Sequence, residues 1–339
     1  MIIRSKAPLR LGLAGGGTDV SPYSEIFGGA VLNATINLYA YATIIPGGDK
    51  TLFRAEDKNE AMEIASETVH GSTGSFSIAK GVYDRVISEF GLKPAPFSLT
   101  TYVDAPAGSG LGSSSTLAVA VLGAFAEWFR LPLGEYDIAR LAWDIERNDL
   151  GMAGGKQDQY AATFGGFNFM EFSGNGKVIV NPLRIRDQIL NELSNNILLY
   201  YTSTSRLSSS IIAEQQHNVR NDVKESVEAM HKLKELSVRM KEVILKGELD
   251  ELGELFNLSW EYKKQMADGI TNRDIDLIYR AALDAGATGG KISGAGGGGF
   301  IFFYCPGNTR YRVLRALEKF GGREQKYQFT KNGLVTWSI

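Results

Sequence analysis

The run Asp104-Ala105-Pro106-Ala107-Gly108-Ser109-Gly110-Leu111-Gly112-Ser113-Ser114-Ser115-Thr116 decides how the rest of the chain is read. A β-branched and aromatic segment, Phe97 to Val103, precedes it and reads as a strand, while the apolar run Leu117 to Phe129 that follows reads as a helix. Glycines at 108, 110 and 112 carry no Cβ to hold a ligand off the backbone, so successive N–H groups can converge on an anion. The serines sit where a helix leaves N–H groups unpaired and where its dipole favours negative charge. Such a device suits a di- or triphosphate. A Gly-Ser linker is the competing reading, but a linker does not normally join an apolar strand to an apolar helix. The loop is not of the Walker kind: no G-x-x-x-x-G-K-[ST] occurs in the chain, and the loop holds no Lys.

Upstream, Leu9 to Leu13 is strand material, and Gly15-Gly16-Gly17 lets backbone approach a ligand and places Thr18 and Asp19 at a loop mouth. Arg10 alternates with apolar neighbours, so it either carries a permanent positive charge into a pocket or is a solvated strand charge. Downstream, Tyr136 to Leu150 is a helical pattern with Glu146-Arg147 in its later part, followed by Gly154-Gly155-Lys156-Gln157-Asp158. Asp158 fits a part-buried cleft behind a flexible glycine pair, or a simple turn. Near the end, Gly294, Gly296 and Gly299 satisfy G-x-G-x-x-G, but a strand (Phe300 to Tyr304) follows where the dinucleotide fingerprint needs a helix, so that reading is rejected.

Val31 to Ile45 reads as one or two strands ended by the turn Pro46-Gly47-Gly48-Asp49. Two helical patterns are expected between Asn59 and Phe90, a hairpin at 167–181 around Gly174-Asn175-Gly176, and a buried strand at 197–202. Ser208 to Leu245 reads as one long helix, with further helices at 249–266, 272–285 and 310–320. Strands at 324–330 and 334–339 complete a C-terminal half that reads as an α+β layer with antiparallel strands.

At 339 residues, the length suggests two domains, and 44% hydrophobic with 22% charged residues describes a globular chain. A net charge of −2 without a Lys/Arg cluster excludes a general nucleic-acid surface, so no nucleic-acid partner is expected. The single cysteine, Cys305, sits at the end of an apolar run and reads as a buried small hydrophobe, and three histidines make a zinc site improbable. Met1 to Lys6 leads into Pro and Arg instead of a long apolar stretch, and no later segment could span a bilayer. No signal peptide, no membrane partner and a cytoplasmic location are therefore expected.

Pro106 to Ser115 matches the P-x-x-x-G-L-G-S-S-x signature of the GHMP kinase superfamily at every fixed position, and Gly294-Ala295-Gly296-Gly297-Gly298 matches its C-terminal glycine motif. The chain resembles that superfamily over nearly its whole length. The resemblance implies a two-domain α+β GHMP kinase fold, with an N-terminal ribosomal-protein-S5-like α/β domain (1–182) and a C-terminal ferredoxin-like α+β domain (183–339). Pro8 to Asp19 together with Gly155 to Tyr160 is similar to the branch containing bacterial D-glycero-D-manno-heptose 7-phosphate kinases, to which fucokinases are related. Galactokinases have Gly-Glu-His where this chain has Gly15-Gly16-Gly17, which argues against galactose.

The implied activity is ATP-dependent phosphorylation of the anomeric C1 hydroxyl of a heptose 7-phosphate, with ATP and Mg²⁺ as cofactors and a sugar phosphate as small-molecule partner, by a monomer or homodimer. By the same resemblance, Pro106, Gly108, Ser109, Gly110, Leu111, Gly112, Ser113, Ser114 and Ser115 wrap the ATP phosphates. Ser114 and Glu146 hold Mg²⁺, Asp158 is the catalytic base and Arg10 its basic partner. Gly16, Gly17, Thr18, Asp19, Gly155 and Gly296 bind the sugar. The substrate's 7-phosphate needs a cationic pocket, for which Lys156 and Arg206 are candidates, each equally readable as a solvated charge.

Overall fold

The computed structural model describes residues 1–64, 74, 76–204 and 208–339. The first half runs β1 (Ile3–Ala14), α1 (Tyr23–Phe27), β2 (Gly29–Pro46), β3 (Thr51–Ala55), β4 (Glu60–Ile64), α2 (Ser77–Glu89), β5 (Phe97–Val103), α3 (Ser113–Phe129) and α4 (Glu135–Asp144). A π-helical turn (Ile145–Asp149), α5 (Gln157–Phe164), β6 (Phe167–Phe172) and β7 (Val178–Pro182) complete it. The second half runs α6 (Asp187–Asn196), β8 (Ile197–Tyr201), α7 (Ser208–Arg220), α8 (Lys224–Lys246), α9 (Leu252–Lys264), α10 (Arg273–Asp284), β9 (Gly289–Ile292), β10 (Phe300–Tyr304), α11 (Arg310–Leu317), β11 (Arg323–Glu324) and β12 (Val335–Ser338).

The first sheet has the order β12-β1-β2-β5-β3-β4, with β6 on the early part of β2 and β7 beyond it. Among these pairings only β3 with β5 is parallel. The second sheet, β11-β8-β10-β9, is antiparallel throughout. Helix α3 is buried from Ser115 to Phe125 at every position but the partly buried Leu117, which is why its sequence is apolar all round and shows no stripe. It lies with α2 on the first sheet, where Phe97 packs edge-on against Phe125 at 5.4 Å and beside Tyr83 at 4.9 Å. Successive side chains of β1 alternate faces, so Leu9, Leu11 and Leu13 share a second core with Phe300, Phe302 and Phe256 of the other half. The two halves are thus joined by apolar burial, and Arg10 falls between two of those leucines.

Four expectations are corrected, the first being the strand at 324–330, of which only Arg323–Glu324 forms while Phe329 makes an isolated bridge to Ile36. The first helical pattern after Asn59 opens instead as strand β4, whose Met62 and Ile64 alternate onto the core; the rest of that pattern, at 65–73 and 75, lies outside the described residues. The long helix breaks into α7 and α8 at Asn221-Asp222-Val223, where Asp222 takes φ 50°, a left-handed conformation that Asp tolerates. The last strand, β12, leaves the C-terminal layer and pairs with β1 from Ile3↔Ser338 to Lys6↔Val335. Leu334 anchors it: a Cβ on Gly123 of α3 would lie 2.8 Å from the leucine's δ carbons, so that glycine leaves the space Leu334 fills. The same pairing covers a β1 edge that would otherwise present unpaired amides.

Candidate active site

The loop between β5 and α3 alternates left-handed glycines, with φ 72° at Gly108, 82° at Gly110 and 77° at Gly112. Gly112 caps α3 without a side-chain cap, and the first-turn amides of Ser113, Ser114 and Ser115 have no carbonyl a turn behind them inside the helix. These residues, with Gly108 and Gly110, line a cleft of about 760 Å³. The other three loop positions hold the loop in place. Pro106 is exposed and its carbonyl accepts from Ser109 N (3.2 Å), Ser109 O accepts from Phe300 N (2.9 Å), and fully buried Leu111 accepts from Arg10 N (3.1 Å).

Arg10 faces the cleft and not solvent, with 4% exposure. Its Nε and Nη2 both reach Asp158 Oδ1 at 2.7 Å, and Nη1 donates to Gly110 O (2.6 Å) and Ser293 Oγ (3.3 Å). Residues 148 positions apart are thereby brought together beside the glycine loop. Asp158 sits in the first turn of α5, close enough that a Cβ on Gly112 would lie 3.1 Å from its carboxyl carbon.

Glu146, on the π-helical turn, is buried behind the serines. Ser115 Oγ donates to its Oε1 at 3.1 Å and Ser114 Oγ at 3.4 Å, and Gln159 Nε2 donates to Oε2 at 2.5 Å. Burial pushes its carboxyl above the usual carboxylate range, opposed by Arg147, 4.0 Å away, and by the Gln159 and Ser115 hydrogen bonds. Hard oxygen donors and a carboxylate with a single cation nearby fit Mg²⁺, which takes one or two carboxylates and completes its shell with water and phosphate oxygens. Among the described residues no group of three or more His, Cys, Asp or Glu is placed to hold a metal by itself.

Asp19 is buried and its carboxylate accepts from Lys156 N (2.9 Å), Gln157 N (3.0 Å), Gly17 N (3.2 Å) and Gln157 Nε2 (3.2 Å). It caps the start of α5 and so fixes the helix that presents Asp158. Gly155 is required there, because a Cβ would fall 1.9 Å from Asp19 Oδ2. Gly16, Gly17, Asp19 and Gly155 line the cleft. Thr18 is fully buried, its hydroxyl donating to Gly15 O (2.8 Å) and Ala30 O (3.1 Å), and Gly296 packs on Ile270, whose Cα would lie 2.8 Å from an added Cβ. The structure puts these two behind the cleft wall. Lys156 is also turned away, paired with Glu25 Oε1 at 2.8 Å and set over the Trp143 ring; Arg206 lies outside the described residues.

Two lysines that the sequence reading missed line the same cleft. Lys291 on β9 donates to Gly12 O (2.9 Å) and Ile292 O (3.1 Å), and burial, with Lys263 and Arg10 nearby, pushes its amine well below the ordinary lysine value. Lys263, near the end of α9, is pushed down to about 8 by burial, against the pull of Asp19. Their burial follows from the packing of α9 on β9, a tertiary fact with no local sequence signal.

Residues 77–166, which hold the glycine loop and Asp158, match the family described as GHMP kinases N terminal domain, and residues 240–323, which hold Lys263 and the second glycine segment, match GHMP kinases C terminal. The chain belongs to the GHMP kinase family. Over 338 residues it is 48% identical to the D-glycero-alpha-D-manno-heptose 7-phosphate kinase of Campylobacter jejuni subsp. jejuni serotype O:2, covering 99% of each chain. The crystal structure of a D-glycero-D-manno-heptose 1-phosphate kinase from Bacteroides thetaiotaomicron superposes with a TM-score of 0.85 at 45% identity, over 99% of each chain. The L-fucokinase/L-fucose-1-P guanylyltransferase of Bacteroides fragilis is 27% identical over 89% of this chain and 34% of its own. Among the described residues no helix is long and apolar enough to cross a membrane.

Proposed function

We propose that this kinase transfers the γ-phosphoryl group of ATP to the anomeric C1 hydroxyl of D-glycero-D-manno-heptose 7-phosphate. The product is the 1,7-bisphosphate, which feeds nucleotide-activated heptose synthesis in the cytoplasm. The observation that carries the reading is the Arg10–Asp158 pair, set at 2.7 Å beside a bare glycine loop at a helix start. The similarity to a heptose 7-phosphate kinase over the full chain supports the choice of acceptor. The chain divides at 182/183, between β7 and α6, with β12 returning to the first sheet.

Phosphoryl transfer demands positioning and charge neutralisation more than covalent chemistry. The amides of the loop and of the first turn of α3 hold the nucleotide phosphates. A small cavity of about 130 Å³ adjoins them, lined by Asp57, Phe76, Ile78, Thr101 and Val103, and takes the base. Asp158 accepts the proton of the C1 hydroxyl or orients it, an anomeric hydroxyl being a better acid than an ordinary alcohol. Arg10 holds that carboxylate in place and offsets charge on the transferred group. Ser114 and Glu146 hold Mg²⁺, which when bound neutralises charge on the phosphate oxygens.

Glu146→Gln keeps shape and removes the anion. It is expected to raise the Mg²⁺ concentration for half-maximal activity on the order of tenfold or more, and a magnesium titration of both proteins reads this directly. The acceptor assignment is tested by side-by-side turnover of heptose 7-phosphate, fucose, mannose and galactose with ATP. The highest kcat/KM should fall to heptose 7-phosphate, with the new phosphate on C1 by ³¹P NMR; preference for an unphosphorylated sugar removes the assignment.

A further inference from the structure

The charged residues lining the cleft are Arg10, Arg147, Lys263 and Lys291 against Asp19, Glu146 and Asp158, an excess of one cation. Most of them have partners inside the protein. Arg10 holds Asp158, Arg147 lies beside Glu146, Lys291 is hydrogen-bonded to two carbonyls, and Asp19 is filled by four N–H donors. The Lys263 amine is the exception. The residue is 3% exposed, and among the described residues no hydrogen bond or ion pair of its amine is found, the charge that attracts it being that of Asp19. A second donor on the same cleft shares its condition: Gln215 of α7 is also 3% exposed, and its Nε2 has no hydrogen-bond partner.

Both side chains line the cleft, and the elements that carry them are joined. Asn218 Nδ2 donates to Met266 O (3.0 Å) and Glu214 Oε1 accepts from Asp268 N (2.9 Å), which fastens α7 to the end of α9. That junction flanks Gly17, where an added Cβ would lie 2.4 Å from Met266 Cε and 3.7 Å from Gln215 Oε1. Buried donors without acceptors are costly, and a desolvated amine more so. A cleft that keeps both, next to the bare backbone of Gly16 and Gly17, is built for an anionic acceptor group brought by a ligand.

We propose that Lys263 and Gln215 hold the acceptor's own phosphate group, apart from the nucleotide phosphates, and set the enzyme's preference for a phosphorylated over an unphosphorylated sugar. This rests on the reading of the acceptor as a sugar phosphate. The depressed amine fits the role, because a bound phosphate supplies a counter-charge beyond that of Asp19, whose carboxylate is already taken by four N–H donors.

The test compares kcat/KM for heptose 7-phosphate and for unphosphorylated heptose in the full-length wild type, Lys263→Met, Lys263→Arg and Gln215→Leu. Lys263→Met is expected to lower the ratio of the two about 30-fold, mainly through KM for the phosphorylated acceptor, and Gln215→Leu about fivefold. Lys263→Arg should recover part of the loss, whereas Lys264→Met, which alters the adjacent Glu261-paired lysine, should leave the ratio unchanged. A wild-type ratio in both Lys263→Met and Gln215→Leu overturns the proposal. Calorimetric titration with inorganic phosphate separates it from the acceptor assignment. If wild type fails to turn over heptose 7-phosphate but binds phosphate, and Lys263→Met does not, the acceptor assignment falls and the anion site stands. If wild type binds no phosphate, or Lys263→Met binds it equally, the anion site falls.

Discussion

Asp158→Ala is expected to lower kcat by roughly 10³-fold while nucleotide affinity changes by no more than about twofold. The carboxylate touches Arg10 and the edge of Gly112, and makes no hydrogen bond to the amides of the glycine loop, so its loss removes chemistry without removing the phosphate cradle. The backbone that presents it is held separately, by Asp19 on the N–H groups of Lys156 and Gln157, so α5 should stay in place in the variant. Asp158→Asn sharpens the point, because the amide keeps the size and can still meet Arg10 through its oxygen but cannot take up a proton. Steady-state kinetics and calorimetric binding of a non-hydrolysable ATP analogue decide the matter. Wild-type turnover in Asp158→Ala would remove the base assignment, and a collapse of nucleotide affinity would mean that the carboxylate serves the loop instead.

Gly110→Val should fail for a reason other than loss of phosphate space. At Gly110 a Cβ would lie 2.1 Å from the Ser293 carbonyl oxygen, in a backbone held at φ 82° that a β-branched residue scarcely adopts. The opposing glycine, Gly294, is also close from the other side, its own Cβ position 2.6 Å from Gly110 Cα. Strain of this kind plus forced separation of two backbones is expected to cost about 4 kcal/mol, a large part of the stability of an ordinary domain. Chemical denaturation should therefore show a lowered midpoint before any ligand is added. A variant with wild-type stability and weakened ATP binding would instead restore the simpler steric account.

How far the site can be read along the chain depends on how local its signals are. The phosphate loop is legible because its glycines, its serines and the flanking strand and helix lie within thirty-three residues, 97 to 129. Arg10 remains ambiguous in sequence, since alternation on a strand says which residues share a face and not what covers that face; Asp158 of α5 and Gly110 of the loop decide it by meeting the guanidinium. Asp19 stands at a loop mouth as its glycines suggest, but no spacing reveals that it caps a helix 137 residues later. Lys263 and Lys291 look like ordinary surface lysines until α9 and β9 close over them. Strand β4 was hidden by brevity: five residues carry little periodicity, and pairing with β3 overrides the helical pattern.

The ladder between β1 and β12 also bears on the order of assembly. Backbone bonds from Ile2 N to Ile339 O (2.7 Å) and from Ile339 N to Ile2 O (3.0 Å) join positions separated by more than three hundred residues. During synthesis the strand that carries Arg10 must wait, one border open, until residues 335–338 have left the ribosome. Closing so wide a loop is entropically expensive and slow. The guanidinium that organises the cleft is therefore made more than three hundred residues ahead of the last neighbour of its strand.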